Sequence, residues 1–295
     1  MDDIDGAIVG LLERDGRLTH LEIAAAVGLS RSAAATRVHR LLSTGQVVVR
    51  GVVHPAVLGR GALAHLGIVV SGRATPIARA LAVRSDVAFL SMTSGAHAIV
   101  AELRARSMAE VDRAIGEVRA LPDVSGVDAL SYVEVVRDVI GPVGEVGVTI
   151  DDVDRALLRA LQDDGRASYV DLAAAVGLSA AGARRRVVRL VSNNVVRIGA
   201  VVRHSGQDRQ GALGLGIRLA GAPEPVVTAL LAMPAAIFVA RVLGRCDVLA
   251  TVRGISAAQL VDVVDEIRGL PGVGAVESWV HLDVVKENYA SGFPE

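Results

Sequence analysis

Leu172-Ala173-Ala174-Ala175-Val176-Gly177-Leu178-Ser179-Ala180-Ala181-Gly182-Ala183-Arg184-Arg185-Arg186-Val187-Val188-Arg189-Leu190 is the stretch whose reading decides the fold. An apolar helical run stops at Gly177, the residue type that accepts a left-handed C-terminal cap. Ser179 then stands where a hydroxyl can cap a second helix. Upstream, Ser168 and Asp171 repeat the hydroxyl-to-carboxylate spacing of a capping box, which opens the first helix. Two short capped helices separated by Gly-Leu-Ser have the spacing of a helix-turn-helix, whose second helix enters the DNA major groove.

The same stretch occurs earlier in the chain. Ala24 to Ser30 is identical to Ala173 to Ser179, Asp15-Gly16-Arg17 matches Asp164-Gly165-Arg166, and Asp5 matches Asp154, an offset of 154 − 5 = 149. The match continues through Gly95 and Gly244 and through Leu121-Pro122 and Leu270-Pro271, so the 295-residue chain is a tandem duplication. Gly141 to Gly147, where Gly and Pro interrupt both periodicities, marks the junction. In copy one, Thr19 and Glu22 form the capping pattern, Gly28 ends the helix and Ser30 caps the next.

Within each copy, an amphipathic helix comes first, with Ile4, Ile8, Leu11 and Leu12 on one face and Val153, Leu157 and Leu161 at the counterpart. On the third helix of copy two, Ala183, Val187, Leu190 and Val191 read as inward, with Arg185 and Arg189 outward and Arg184 and Arg186 flanking. The outward set of copy one is Ser32, Thr36 and Arg40, flanked by Arg37. The candidate DNA-binding residues are therefore Arg31, Ser32, Thr36, Arg37 and Arg40, with Ala181, Arg184, Arg185, Arg186 and Arg189. Charge supports the assignment. No acidic residue occurs between Glu22 and Asp86 or between Asp171 and Asp208, in a chain with 32 acids and 31 bases, so both third helices lie in locally positive segments.

Strands at Val47 to Val53 and Val196 to Val202 follow, readable as a wing or as a lead into the next domain. Copy one then reads strand, helix, strand, strand, helix, strand, over about 62–71, 76–84, 87–93, 97–103, 108–121 and 124–136, and copy two repeats this order from Ala212 to Val284. The expected class is α+β: two copies of a (winged) helix-turn-helix followed by a ferredoxin-like βαββαβ domain. The expected boundaries are 1–54 and 150–203 for the helix-turn-helix domains, 55–140 and 204–295 for the βαββαβ domains, and 141–149 for the linker.

Asp154-Arg155-Ala156-Leu157-Leu158, Asp163-Asp164-Gly165-Arg166-Ala167-Ser168-Tyr169, Val176-Gly177-Leu178-Ser179 and Arg185-Arg186-Val187-Val188-Arg189-Leu190 resemble the DNA-binding domain of the Lrp/AsnC regulators. The remainder of each unit is similar to that family's effector domain, including Leu270-Pro271-Gly272-Val273. The resemblance implies a transcriptional regulator that binds double-stranded DNA, responds to an amino acid or related small metabolite, and forms a homo-oligomer through its effector domains. It also implies that one polypeptide stands in for the family's dimer. The family's Gly-x-x-Asp turn appears as Gly244-Arg245-Cys246-Asp247, the expected effector-binding residues. Copy one has Gly95-Ala96-His97-Ala98, and Ala98 offers no carboxylate.

Other classes find less support. One cysteine makes no internal disulfide, no Cys/His cluster has zinc-ligand spacing, and Lys286, the only lysine, is not in a phosphate loop, so no metal or cofactor is expected. The acidic start and the short, Pro234-broken apolar run argue against a secretory signal and a membrane span, and the cytoplasm is the expected compartment. Cys246 and His97 read as ordinary residues and Trp279 as packing. The alternatives are a DNA-wrapping architectural protein and an enzyme like the sirohaem decarboxylases, which share this two-domain plan. Against the enzyme, the windows Val87 to Ala101 and Ala236 to Ala250 offer only Phe89, His97 and Phe238 toward a His- and aromatic-rich pocket.

Overall fold

The computed structural model describes residues 2–45, 47–202 and 211–288. They form two compact units, each assembled from both copies: residues 2–57 with 139–202, and residues 58–138 with 211–288.

In the first unit, copy one supplies α1 (Asp3–Arg14), α2 (His20–Val27), α3 (Arg31–Ser43) and β1 (Val47–Val53). Copy two supplies α6 (Asp152–Asp163), α7 (Tyr169–Val176), α8 (Ala180–Ser192) and β6 (Val196–Val202). The local signals act as read. Thr19 accepts from Glu22 N while Glu22 reaches back to the cap, Ser30 and Ser179 cap their helices, and Gly28 and Gly177 sit at φ +69° and +68°. Ile8, Leu12, Ile23, Ala34, Val38 and Leu41 fill one three-helix core, and Leu157, Leu161, Leu172, Ala183, Val187 and Leu190 the other.

The strands after the third helices are not wings. β1 and β6 pair with each other, antiparallel, from Val47↔Val202 to Val53↔Val196. Each half packs on the other's first helix. Gly16 N donates to Ile198 O at 2.8 Å and Gly165 N to Val49 O at 3.0 Å, and a Cβ at Gly199 would lie 2.7 Å from Glu13 O. Val191, read as inward, is 43% exposed instead. The helix's last inward position is Leu190, whose carbonyl receives Val195 N, and Val195 and Val196 take over the core.

The second unit contains β2 (Ala62–Val70), α4 (Ala74–Ala82), β3 (Val87–Thr93), β4 (Ile99–Ala105), α5 (Met108–Arg119) and β5 (Val124–Arg137). Copy two repeats them as β7 (Gly211–Leu219), α9 (Pro223–Ala232), β8 (Ala236–Leu243), β9 (Val248–Gly254), α10 (Ala257–Arg268) and β10 (Val273–Glu287). Each half is a ferredoxin-like sheet. β5 pairs with β8 and β10 with β3, so the sheets close into one eight-stranded barrel, order β10-β3-β4-β2-β5-β8-β9-β7. Closure gives every strand two neighbours and removes free edges.

Alternation along the strands makes two environments. Ala64, Leu66 and Ile68 join Ile77, Leu81, Val111 and Val118 beneath α4 and α5, and Leu215, Ile217, Val226, Leu230 and Ile267 form the matching core of copy two. The opposite faces meet inside the barrel around Leu130, Val242, Cys246 and Leu249, with Tyr132, Phe238 and Trp279 packed on them. No helix among the described residues is long and apolar enough to cross a membrane.

Candidate nucleic-acid interface and effector turn

The recognition helices α3 and α8 sort their side chains into two groups. Arg37 donates to Asp2 at 2.7 Å and to Asp5 at 2.8 Å, and Arg40 donates to Asp5 at 2.6 Å. Copy two repeats this: Arg186 donates to Asp151 and Asp154, both at 2.8 Å, and Arg189 pairs with Asp154. The acids are the N-cap and third residues of α1 and α6, where capping boxes and the positive helix end favour carboxylates. The Arg37 guanidinium and the Asp5 amide hold Asp2 below the usual carboxylate range. For Asp151 the Asp154 amide leads and Arg186 follows. Asp5 and Asp154 are buried, so each first helix is clamped to its recognition helix by an enclosed carboxylate.

Four of the predicted readers are thus held in ion pairs with the first helices, although their guanidinium groups stay partly or, for Arg40, mostly exposed. Arg189, read as pointing away, leans onto Asp154 and is half-buried. The remaining predicted residues sit on the open faces. Arg31, Arg184 and Arg185 are exposed and, among the described residues, make no ion pair. Ser32 and Ala181 are exposed near the helix starts; Ser32 Oγ lies 3.1 Å from Ser30 Oγ, and Thr36 Oγ1 donates to Ser32 O. Two further exposed positions went unread: His39, and Val188 at the equivalent place (188 − 39 = 149). Outward spacing at positions 32, 36 and 39 was the available signal.

The clamp is common to both copies and the open face is not. Arg37 and Arg40 recur as Arg186 and Arg189, whereas Ser32, Ala35, Thr36 and His39 become Ala181, Arg184, Arg185 and Val188. The two motifs are also strapped together. Arg17 donates to Gly165 O at 2.8 Å and Ala167 O at 2.9 Å, and lies over the Tyr169 ring at 4.5 Å. In return, Arg166 donates to Gly16 O at 2.6 Å and Leu18 O at 3.2 Å. Burial lowers the Arg166 pKa.

In the β8–β9 turn, the four predicted effector residues point to different places. Asp247 accepts from Leu219 N at 2.8 Å, an internal cap on β7. Cys246 is buried among Leu130, Val242 and Leu249, and burial pushes its thiol up to about 11, which keeps it protonated. Gly244, at φ +143°, rests on β5 so closely that a Cβ would lie 2.5 Å from Leu130 Cδ2. Arg245 pairs with Glu277 and lies 3.8 Å from Asp128.

In copy one, His97 is not a bland residue. Its Nε2 lies 2.8 Å from Asp128 Oδ2, and its ring covers Gly67. Nor are the barrel's aromatic and imidazole groups confined to the two windows read in the sequence. His65 lies 5.8 Å from Trp279, Trp279 lies 6.5 Å from His281, and His281 lies 5.7 Å from Phe89, while Tyr132 meets Phe238 at 6.3 Å. These side chains come from β2, β3, β5, β8 and β10 and are gathered only by barrel closure.

Comparison with known proteins agrees with this geometry. The AsnC-type helix-turn-helix domain matches residues 1–42 and 150–191, and a C-terminal dimeric alpha+beta barrel domain of AsnC type matches residues 218–294. An HTH-type transcriptional regulator of Pyrococcus abyssi, itself uncharacterized, is 31% identical over 127 residues, 42% of this chain and 79% of its own length. The HTH-type transcriptional regulator FL11 of Pyrococcus furiosus is 27% identical over 140 residues, 47% of this chain and 93% of that protein. The leucine-responsive regulatory protein of Rhizobium meliloti is 48% identical over 52 residues, 18% of this chain and 33% of that one. Among solved structures, the siroheme decarboxylase NirDL superposes with a TM-score of 0.68 over 99% of this chain and 95% of its own; at 12% identity the likeness is one of fold. On its duplicated AsnC-type helix-turn-helix and its relatives, this chain belongs to the Lrp/AsnC family of transcriptional regulators.

Proposed function

We propose that one chain reads a whole operator, with α3 and α8 entering successive major grooves of double-stranded DNA as the two halves of a built-in dimer. The observation that carries this reading is the division of each recognition helix into a shared acid-held pair of arginines and a divergent exposed face. Arg184 and Arg185 offer guanidinium forks to guanine edges or phosphates, and Val188 offers methyls to thymine. The other half-site meets Arg31, Ser32, Thr36 and His39. Arg37, Arg40, Arg186 and Arg189 keep their charge near the backbone and act chiefly by fixing each helix. The two half-sites lie about 34 Å apart on one face of the duplex and differ in sequence.

In this reading the protein is a cytoplasmic regulator rather than an enzyme, and an amino acid or related metabolite acts on the barrel unit. Association of further chains through the outer faces of the effector domains builds on the barrel already closed within each chain. Footprinting on upstream DNA tests the reading. A bounded, non-palindromic site supports it, and uniform protection without a boundary favours an architectural role. The enzyme reading predicts turnover of added sirohaem, and none is expected.

A further inference from the structure

The two halves of the helix-turn-helix unit differ in one kind of charge. Histidine is the side chain whose charge changes between pH 5 and 8. Copy one carries two in its motif, His20 at the start of α2 and His39 on the exposed face of α3, where copy two has Tyr169 (169 − 20 = 149) and Val188. Residues 150–202 contain no histidine at all. Copy two instead exposes the permanent guanidinium groups of Arg184 and Arg185, whose counterparts are Ala35 and Thr36. On α3 the permanent cation outside the ion pairs is Arg31, at the helix start.

The charged groups on the elements packed against α3 are engaged elsewhere or stand apart from His39. On α1, Asp2 and Asp5 are held by Arg37 and Arg40, Arg14 donates to Gly10 O, and Asp3 and Glu13 lie in the first and last turns. On α2, Glu22 closes the cap on Thr19, beside His20. On β1, Arg50 donates to Gln162 O. The third helix itself brings bases alone, and no acid follows Glu22 before Asp86. Among the described residues, no carboxylate pairs with the His39 ring. Double-stranded DNA supplies such a partner: its phosphates are anions, phosphate oxygens and guanine edges accept hydrogen bonds, and a protonated imidazole donates from both nitrogens.

We infer that DNA binding through copy one is linked to protons, His39 donating as an imidazolium to an acceptor of the duplex, while the contacts of copy two are independent of pH. Negative charge on the duplex favours the protonated ring. The complex therefore keeps a proton that the free protein gives up as the pH rises, and affinity falls with rising pH. In acid, copy one gains a second cation outside the ion pairs, beside Arg31, and matches the two of copy two. In alkali the complex leans on Arg184 and Arg185. The inference rests on the proposed entry of α3 and α8 into DNA and adds to it a proton dependence confined to one half-site.

The test titrates the full chain against a rhodamine-labelled duplex spanning its footprint, at constant ionic strength, from pH 8 to pH 6. Binding should tighten by at least about threefold over that range. His39→Val, which carries over copy two's own side chain, and His39→Gln should flatten the dependence. His39→Arg should bind at pH 8 about as tightly as the wild type does at pH 6. A phosphate contact steepens the salt slope of log K by about one at pH 6 relative to pH 8, whereas a guanine contact shows instead as a loss on replacing that base in the copy-one half-site. Three replacements at one exposed position keep the comparison open should one of them fail to fold, which the melting temperature reports. Affinity that is flat from pH 8 to pH 6, or a dependence retained in folded His39→Val or His39→Gln, overturns the proton link and leaves the regulator reading standing. No complex at either pH overturns both.

Discussion

Asp154 and Arg186 meet at 2.8 Å across α6 and α8, joining the first helix of a motif to its third through a carboxylate with no exposure to solvent. Asp154 also holds Arg189. Removing one partner of a buried pair strands the other charge, a larger loss than the pair's net worth. Both arginines retain some contact with water, which moderates the cost. Asp154→Ala is predicted to cost about 3 kcal/mol in urea unfolding. Asp5→Ala should behave alike, because Asp5 holds Arg37 and Arg40 in the same way. A loss under about 0.5 kcal/mol in both variants, the range of ordinary surface changes, would show the clamp to be incidental.

The divergent faces of α3 and α8 predict an asymmetric response to mutation. Arg184→Ala with Arg185→Ala should weaken protection of one half-site and leave the other's boundaries intact, whereas Ser32→Ala with Thr36→Ala should do the opposite and more weakly. Loss of a bidentate guanine contact costs about 1–3 kcal/mol. Loss of a phosphate contact lowers the salt slope of log K by about one. Quantitative footprinting at two or more salt concentrations distinguishes the two roles. Equal loss at both half-sites would contradict the assignment of one helix to each.

The capped motif was legible because its determinants are local: Gly28, Gly177, Ser30 and Ser179 act within a turn of where they stand. The exposed face of each third helix was mostly legible too, since helical period decides the outward side. What period cannot give is the partner on another element. Asp5 and Asp154 read as first-turn acids, and only the packing of α1 on α3 and α6 on α8 turns them into arginine clamps. Strand pairing is hidden for the same reason. Val47 and Val202 are neighbours in the sheet although far apart in the chain, and alternation states which face is buried but not against what. The barrel interior was missed because His65, Trp279 and His281 lie on two strands of different copies, outside the windows that resemblance singles out.

His65 predicts a pH dependence with a definite sign. Its folded pKa is about 3, below the ordinary value of 6.5, so the unfolded chain takes up the proton first. Its contribution to stability is complete above about pH 6.5, falls as the pH drops from there toward 3, and does so by about 1.4 kcal/mol per pH unit. Between pH 7 and 5 the wild-type protein should therefore lose more stability than His65→Gln, whose side chain does not titrate. Parallel curves for the two proteins in denaturant melts would rule out a neutral, buried imidazole.

The first unit depends on a close approach that only glycine allows. Gly199 on β6 faces the end of α1, where a Cβ would lie 2.7 Å from the carbonyl oxygen of Glu13, a backbone atom that cannot rotate away. The same strand runs against β1 through seven paired residues, so relief by moving β6 breaks the sheet that joins the copies. Gly199→Ala is predicted to destabilise by about 1–3 kcal/mol, the usual range for overpacking. A control glycine sets the contrast: a Cβ at Gly10, on α1, would meet nothing within 4 Å, and helix propensity favours alanine there. Gly10→Ala should be neutral or stabilise by up to about 1 kcal/mol. If Gly199→Ala also lowers DNA affinity beyond its effect on folding while Gly10→Ala does not, the β1–β6 sheet sets the spacing of the two recognition helices. Unchanged affinity in a folded Gly199→Ala would remove the sheet from DNA recognition and leave that spacing to the Arg17 and Arg166 straps.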